Sequence, residues 1–330
     1  MNLTLRPAPP FRLDFVTWVL RRVPVNAMDR WDGRTYRRIL LIGRTPVPVE
    51  VVQVGPPEEP VLRVTAGGRA SAKSRSAVVA FLNRVLGLDL DLAPFYRFAR
   101  EDKRLDSLVR PYVGFKPPRL PSVFEALLNG IACQQLSLHV GIHLLNRLCV
   151  SYGQSSGGHH AFPLPEDLAD ALPGDLKRLG FSGAKAKTIL GASCAIASGE
   201  LDLESLVQSD DASALEQLQR LHGIGRWTAQ YVLLRGLGRV DVFPGDDVGG
   251  QNKLQRWLRL KVRPDHDKVN QILRRWSPYR GMLYFHLLLD ELSRRGLLAS
   301  ADEVSFTPPG SRCLGSTSAG SMTAPAFRHV

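Results

Sequence analysis

Two adjacent carboxylates, Asp246 and Asp247, are the residues whose sequence context most clearly suggests chemistry. They follow Pro244 and Gly245, which break the chain, and a helical pattern resumes near Gln251. Both carboxylates are therefore expected at a helix N-terminus, where the helix dipole favours the ionised form of an acid. On local sequence alone, a pair of helix caps is the commoner interpretation.

A glycine-rich turn lies about twenty residues earlier, within Leu221–Tyr231. Apolar residues at helical spacing, Leu215 and Leu218 among them, predict helices on both sides of it. Gly223 and Gly225 would permit a tight hairpin with positive φ and would leave its backbone uncovered. The free N–H groups that begin the next helix then suit a phosphate oxygen. A turn that merely joins two helices is the alternative.

The charge balance favours a polyanionic partner for this hairpin. The chain has 43 Lys and Arg residues against 31 Asp and Glu residues, for a formal net charge of +12. Basic side chains that neutralise phosphates release counterions, so such an excess is typical of nucleic-acid-binding proteins. A basic protein with no such partner is equally compatible with the charge alone. Together with the hairpin, however, the charge makes phosphate binding by this turn the stronger interpretation.

The segment Leu221–Trp227 resembles the hairpin of the helix-hairpin-helix DNA glycosylase superfamily, in which this element grips the DNA backbone. The resemblance implies double-stranded DNA with damaged bases as the partner. That family also places an essential Asp after a Phe-Pro turn, as in Phe243-Pro244 here. Asp247 follows Trp227 by twenty residues, a spacing similar to that of the 3-methyladenine DNA glycosylase II branch. In that branch the second Asp is catalytic. The resemblance thus implies that Asp247 is the catalytic residue and that Asp246 has a capping or supporting role.

The resemblance also implies a set of DNA contacts. The hairpin residues implied to bind DNA are Gly223, Ile224, Gly225, Arg226 and Thr228. Gln135, in a helix-turn segment, is implied to be the wedge that fills the gap left by a flipped base. No cofactor is expected, apart from a structural monovalent cation that the family implies on the backbone carbonyls of Gln219, Leu221 and Ile224.

One carboxylate suffices for the reaction that this family performs. Breaking an N-glycosidic bond creates oxocarbenium character on the sugar, which a nearby carboxylate stabilises. The same group can orient or deprotonate the attacking water. An alkylated purine such as 3-methyladenine already carries positive charge and leaves without a general acid. The expected activity is therefore hydrolytic excision of alkylated bases of the 3-methyladenine and 7-methylguanine type, in base excision repair.

Two features indicate a monofunctional enzyme. Bifunctional members of the superfamily carry Lys where this chain has Trp227, and that amine forms a Schiff base with the sugar. Endonuclease III-like members hold an iron–sulfur cluster on four closely spaced cysteines, whereas only Cys313 follows the hairpin here. Two alternatives remain at this stage: a non-catalytic DNA-binding module, and a glycosylase for oxidised or deaminated bases.

A flipped base needs an aromatic or apolar slot. Trp227 and Tyr231 are four residues apart on one predicted helix and share a face. By resemblance that face lines the base pocket, although ordinary core packing is the alternative. Val248 and Leu288 stand where the best-known members have aromatic residues, so a less aromatic pocket is expected and the substrate range stays open.

The elements that position these residues predict an α+β fold. Residues 1–114 are expected to form a small antiparallel sheet with flanking helices, with strands at 38–42, 47–54 and 61–64 and no evident chemistry. The proline-rich stretch Phe115–Pro121 is the candidate linker, followed by Ser122 as a helix cap and Glu125 as its capping-box partner. Residues 115–300 are expected to form two helical subdomains around the active-site cleft, and residues 301–330 a disordered tail.

The remaining composition favours a cytoplasmic, nucleoid-associated monomer. No signal peptide and no run of about twenty apolar residues is visible. Cys133, Cys149 and Cys194 lie in apolar helical patterns, so they are expected to be buried thiols. His159 and His160 are adjacent but lack a nearby third ligand, which argues against a metal site.

Overall fold

A computed structural model describes residues 1–298. Residues 299–330 lie outside the described residues, and with them the predicted disordered tail and Cys313. Within residues 1–298, every helix is too short or too polar to cross a membrane. The same part of the chain contains no group of three or more His, Cys, Asp or Glu residues that could hold a metal ion.

The N-terminal part forms a five-stranded antiparallel sheet of order β1-β5-β4-β3-β2. Its strands are β1 (Asn2–Leu5), β2 (Arg30–Trp31), β3 (Thr35–Ile42), β4 (Thr45–Gln53) and β5 (Leu62–Ala66). Alternating buried residues of β4 and β5 face helices α1 (Leu13–Arg21) and α2 (Ala72–Leu86). A tight turn with Gly43 in a left-handed conformation joins β3 to β4. The predicted sheet with flanking helices is therefore confirmed.

The rest of the described chain is almost entirely helical, which confirms the predicted α+β class. Its helices are α3 (Ala93–Arg100), α4 (Lys103–Val109), α5 (Val123–Cys133), α6 (Leu138–Tyr152), α7 (Pro165–Ala169), α8 (Pro173–Arg178), α9 (Gly183–Ala197), α10 (Asp211–Gln219), α11 (Arg226–Val232), α12 (Val248–Leu258), α13 (His266–Leu273) and α14 (Arg280–Arg294). A π-helical turn, Leu233–Leu237, follows α11. A small hairpin, β6 (Ser155–Ser156) and β7 (His159–His160), interrupts the helices.

The prediction of a linker at Phe115–Pro121 is wrong. Residues 115–118 are buried, and the ring of Phe115 packs against those of Phe285 and His286. The Lys116 ammonium donates to the carbonyl of Leu90 at 2.5 Å. The prolines keep this segment extended, but its apolar side chains belong to one hydrophobic core that continues from the sheet into the helices.

A buried ion-pair network also joins the two parts. Ser122 caps α5 as predicted, because its hydroxyl accepts the N–H of Glu125 at 3.0 Å. The Glu125 carboxylate does not complete a capping box, however. Both of its oxygens accept from one guanidinium nitrogen of Arg38, at 2.7 and 2.6 Å, while the other terminal nitrogen of Arg38 donates to Asp29 at 2.6 Å. The ion pair with Arg38 on the sheet thus replaces the capping-box hydrogen bond to the backbone N–H of Ser122.

The cysteine prediction holds only in part. Cys149 is buried and Cys133 is partly buried, but Cys194 is exposed. Cys194 lies on the outer face of α9, where its thiol donates to the carbonyl of Ala169. Its apolar neighbours in sequence occupy the buried face of the same helix. The prediction failed there because residues one and two positions apart in a helix face different directions.

Candidate active site

A cleft of about 930 Å³ lies where α11, α12 and α14 meet the turn between α5 and α6. The end of α1, in the N-terminal part, closes one side of it with Arg22. Among the residues singled out from sequence, the cleft brings together Gly223, Gly225, Trp227, Thr228, Tyr231, Asp246, Asp247, Val248, Leu288 and Gln135. Residues far apart in the chain thus share one concave surface, the usual form of a ligand site.

Asp247 is held by three hydrogen bonds. Its Oδ2 accepts the backbone N–H of Gly250 at 2.6 Å, which makes Asp247 the N-cap of α12. Oδ2 also accepts the phenol of Tyr284 at 3.1 Å, and Oδ1 accepts the indole N–H of Trp227 at 3.2 Å. Both carboxylate oxygens are therefore oriented by donors on three different elements.

Asp246 does not cap the helix, so that part of its predicted role is wrong. Its carboxylate accepts from Arg226 in a two-pronged contact, at 2.7 and 3.1 Å, and lies 3.4 Å from Nδ1 of His266. The hydrogen bond from Arg226 lowers the pKa of Asp246. Asp246 comes directly after the buried Pro244-Gly245 turn and one residue before the N-cap position of α12. Asp247 occupies that position, so its side chain reaches the backbone N–H groups of the first turn. Asp246 therefore ties the hairpin to the segment that carries Asp247.

The hairpin joins α10 to α11, as predicted, but its two glycines differ. Gly223 has φ +77°, and a Cβ there would lie 2.3 Å from the hydroxyl of Thr188 on α9. Gly225 has φ −90° and nothing within 4 Å of a Cβ, so the expectation of positive φ is wrong for Gly225. As the N-cap of α11 it adopts an extended conformation open to any residue.

The predicted DNA-binding side chains are not all exposed. Arg226 reaches solvent but is engaged with Asp246. Ile224 and Thr228 are buried, and the Thr228 hydroxyl accepts from the Gln134 amide at 2.9 Å. A DNA contact by the Ile224 or Thr228 side chain is therefore excluded in this conformation, which leaves their backbone groups. The carbonyl of Leu221, one of the implied cation ligands, accepts the N–H of Ile224 at 3.1 Å.

The pocket wall is built from stacked aromatic rings. The rings of Trp227 and Tyr231 are stacked with centroids 5.7 Å apart and planes 28° from parallel. Trp227 is partly exposed to the cleft, whereas Tyr231 is buried and its hydroxyl accepts from Arg22 at 2.9 Å. Val248 and Leu288 line the same cleft, and Val248 is exposed.

Gln135 lies at the rim of the cleft in the turn between α5 and α6. Its side chain is exposed, and its φ of +53° is uncommon for a residue other than glycine. Lys185 on α9 holds this turn by donating to the carbonyls of Ala132 and Gln134 at 3.0 and 2.7 Å. The Gln134 amide also donates to the carbonyl of Gly223 at 3.0 Å, which connects the turn to the hairpin.

Three cleft side chains that carry a phenol or a positive charge, Tyr284, Arg22 and Lys253, were not predicted from the sequence. Tyr284 precedes Leu288 by one helical turn, and that spacing could have identified it. Burial, followed by the neighbouring Asp247, raises the pKa of Tyr284 well above its ordinary value, so the phenol remains a hydrogen-bond donor. No sequence signal marked Arg22, because its contribution depends on how the N-terminal part packs on the helices.

The chain is similar in sequence to known proteins. The model of the HhH-GPD superfamily of base excision DNA repair proteins matches residues 128–278. A DNA-3-methyladenine glycosylase of Bacillus subtilis is 31% identical over 217 residues, which cover 64% of this chain and 72% of that protein. DNA-3-methyladenine glycosylase 2 of Escherichia coli is 29% identical over 181 residues, which cover 54% of this chain and 61% of that protein.

Solved structures show the same relationship. The 3-methyladenine DNA glycosylase of Archaeoglobus fulgidus superposes with a TM-score of 0.75 and 27% identity, over 91% of this chain and all of that one. An 8-oxoguanine glycosylase/lyase of Clostridium acetobutylicum, in complex with double-stranded DNA, has a TM-score of 0.69 at 18% identity, over 90% and 98% of the two chains, and shows the shared fold alone. This chain therefore belongs to the HhH-GPD superfamily of base excision DNA repair proteins, in its 3-methyladenine DNA glycosylase branch.

Proposed function

We propose that this protein is a monofunctional DNA glycosylase that hydrolyses the N-glycosidic bond of alkylated bases in duplex DNA. The observation that carries the proposal is the placement of Asp247, whose two oxygens are fixed beside the stacked Trp227 and Tyr231 rings. The relatives named DNA-3-methyladenine glycosylase support alkylated bases as the substrate class. Base excision repair is the process in which such an activity acts.

Asp247 would act electrostatically and as a base. As the bond between C1′ and the base breaks, the sugar gains oxocarbenium character, and a fixed anion lowers the energy of that state without having to reorient. The same carboxylate can take a proton from the attacking water. Its two oxygens are held by Trp227, Tyr284 and Gly250, so the protein bears little cost of reorganisation during the reaction.

The aromatic wall would receive the flipped base. A cationic alkylated purine is attracted to the electron-rich face of an indole, which favours stacking on Trp227. Gln135, exposed at the rim, would occupy the gap that the base leaves in the duplex. Val248 and Leu288 would complete the pocket with aliphatic surface and set its size.

The hairpin would hold the DNA through its backbone. The exposed Gly223 and Gly225 leave the amides at the start of α11 accessible to a phosphate, and Arg226 adds positive charge beside them. A monovalent cation on the carbonyls of Gln219, Leu221 and Ile224 is part of this proposal. We further propose a monomer that works on the nucleoid.

Chromatography of the bases released from methylated duplex DNA tests the function. We expect release of 3-methyladenine and 7-methylguanine with the strand left intact until alkali or heat is applied. Tight binding without release of any base would support a non-catalytic DNA-binding module instead. Release from oxidised or deaminated DNA but not from methylated DNA would reassign the substrate class.

A further inference from the structure

Two histidines that the proposed base excision does not use lie one helical turn apart on α6. His139 and His143 are both exposed. Their spacing of four residues places them on the same face of the helix. The centroids of their rings are 4.9 Å apart, and the ring planes are 61° from parallel. The fold therefore presents two neighbouring imidazoles to solvent.

Neither imidazole is engaged with another part of the protein. Within residues 1–298, neither ring forms a hydrogen bond or an ion pair, and each has a ring contact only with the other. Arg147 continues the same row of side chains, but its guanidinium donates to the carbonyl of Leu179, the residue that ends α8, at 3.1 Å. The ring nitrogens of both histidines therefore remain available to a ligand.

The separation of the two rings fits a shared metal ion. Zinc binds a histidine nitrogen at about 2.0–2.1 Å, which places the centre of the ring about 3 Å from the ion. Two such rings at a tetrahedral angle have centres about 5 Å apart. The observed 4.9 Å is close to that value. Because both side chains are exposed, rotation about their own χ angles is enough to direct one nitrogen of each ring at the ion.

We propose that His139 and His143 form a binding site for one divalent transition metal ion such as Zn²⁺. Imidazole is a preferred ligand of these metals, and two histidines at positions i and i+4 of a helix supply two of the zinc ligands in metalloproteases. Water fills the other coordination positions, since the described residues provide no third His, Cys, Asp or Glu ligand. Neither histidine lines the base cleft, so the site is independent of the proposed activity.

The adjacent histidines of β7, His159 and His160, lack this geometry. Consecutive side chains of a strand point to opposite faces of the sheet. Nδ1 of His160 lies 3.3 Å from the carbonyl of Gly153. Burial, followed by Arg30 and His160, lowers the pKa of His159, which indicates surroundings unfavourable to a cation. The same chain thus contains a second pair of histidines that should not bind a metal ion together.

Metal binding should stabilise α6. Only the helical conformation brings residues 139 and 143 together, so an ion that bridges them binds the folded protein more tightly than the unfolded chain. The helix begins directly after the turn that carries Gln135, and His139 lies in its first turn. The bound ion would therefore link the first two turns of α6. The melting temperature should rise with the concentration of Zn²⁺.

Calorimetric titration with zinc chloride at about pH 7.5, on protein without a polyhistidine tag, tests the site. We expect one ion per chain at the tightest site, with affinity at least about tenfold lower in His139→Ala and in His143→Ala. His159→Ala and His160→Ala are the matched controls and should bind as the wild type does. Zn²⁺ should raise the melting temperature of the wild type and of both controls, but not that of His143→Ala.

Three results would each overturn the inference: equal zinc affinity of the wild type and His143→Ala, an equal loss of affinity in His159→Ala, or no zinc binding by the wild type. Because His139 and His143 are exposed, their variants should keep the metal-free melting temperature of the wild type. Release of bases from methylated DNA is measured separately, so its absence would overturn the proposed function and not this inference.

Discussion

Asp247 combines a structural role with its proposed chemical one. It caps α12 through Gly250, and the same carboxylate faces the cleft between Trp227 and Tyr284. A capping side chain has a defined position, so the helix itself orients the reactive group. The neighbouring acid, Asp246, is paired with Arg226, which leaves Asp247 as the acid of the two without an ion-pair partner within residues 1–298.

Removal of the Tyr284 hydroxyl should slow base release without unfolding the protein. In Tyr284→Phe, Asp247 loses a 3.1 Å hydrogen bond but the ring still packs. Hydrogen bonds to charged groups contribute about 1.5–3 kcal/mol, so we expect a rate at least about tenfold lower. Single-turnover release of 7-methylguanine measures it, with Tyr152→Phe, outside the cleft, as the control. An unchanged rate would show that this phenol does not support Asp247.

At this scale the sequence is informative where the relevant distance is along the chain. The family resemblance, with the spacing from Trp227, predicts Asp247 rather than Asp246 as the catalytic acid, although local sequence marks both as caps. Tyr284 could have been found from its spacing to Leu288. Arg22 could not, because it reaches the cleft only through the packing of α1 against α14, which no local pattern encodes.

Among the elements, the hairpin depends on one glycine more than on the other. Gly223 combines a left-handed backbone with close contact to Thr188, whereas Gly225 is extended and unobstructed. The α9 helix thus supports the hairpin from behind, and the side chain of Gln134 connects the hairpin to the turn between α5 and α6. The hairpin and this turn are therefore parts of one packed unit.

Gly223→Ala should weaken DNA binding much more than Gly225→Ala. An added Cβ at Gly223 costs about 1–2 kcal/mol in backbone strain and also displaces Thr188, so the hairpin must shift. We expect about a tenfold or greater loss of affinity for duplex DNA, measured by fluorescence anisotropy at fixed salt concentration. Gly225→Ala should bind close to the wild-type level. Equal affinities for the two variants would contradict the described hairpin geometry.

Helix α14 carries a buried histidine that should make stability depend on pH. His286 is enclosed by Phe95, Tyr112 and Phe115, and its Nε2 has no partner within residues 1–298. Burial lowers its pKa from 6.5 to about 4. Between pH 6.5 and about pH 4, His286 is protonated in the unfolded chain but neutral in the folded protein. The free energy of unfolding therefore decreases as pH falls through this interval.

The expected loss from this histidine between pH 6.5 and pH 4 is about 3 kcal/mol, and its contribution is fully present above pH 6.5. Urea unfolding at pH 7, 6 and 5 measures the trend. In His286→Leu, which keeps an apolar side chain in the same space, the loss of stability between pH 7 and pH 5 should be smaller by about 2 kcal/mol. An identical slope in the variant would show that His286 is protonated in the folded protein.

Element boundaries were less predictable than element types. Helix α12 begins at Val248, earlier than the apolar pattern near Gln251 indicates, because Asp247 caps it. The proline-rich segment at Phe115 has the composition of a linker, yet its apolar side chains are buried against α14. Composition describes what a segment can do locally, whereas burial depends on partners that are distant in sequence.

At the scale of the whole molecule, the sheet and the helical part behave as one packed body. The hydrophobic core continues across both, and Arg38 on β3 connects Asp29 to Glu125 on α5. Local sequence patterns predict the α+β class. They do not predict the ion pairs of Arg38, because a charged residue is known to be buried only once its partners in the fold are known. Arg22 reaches the cleft from the same N-terminal part, so the sheet contributes to the active site through packing.

Arg38→Met should destabilise the protein far more than Arg37→Met on the same strand. Removing Arg38 leaves two buried carboxylates without their partner, which costs about 3–5 kcal/mol. Arg37 pairs with Asp32 and Glu50 at the surface, where such contacts contribute less than about 1 kcal/mol. Chemical denaturation gives both values. Similar losses for the two variants would contradict a buried junction between the parts.

The most direct test of the proposed mechanism is Asp247→Asn. Asn is as good an N-cap as Asp, so α12 and the fold should remain, and loss of the charge removes only the stabilising anion and the base. We predict wild-type melting temperature and affinity for methylated duplex DNA, with single-turnover release of 7-methylguanine reduced at least about 100-fold. Release at the wild-type rate from the folded variant would contradict the assignment of Asp247.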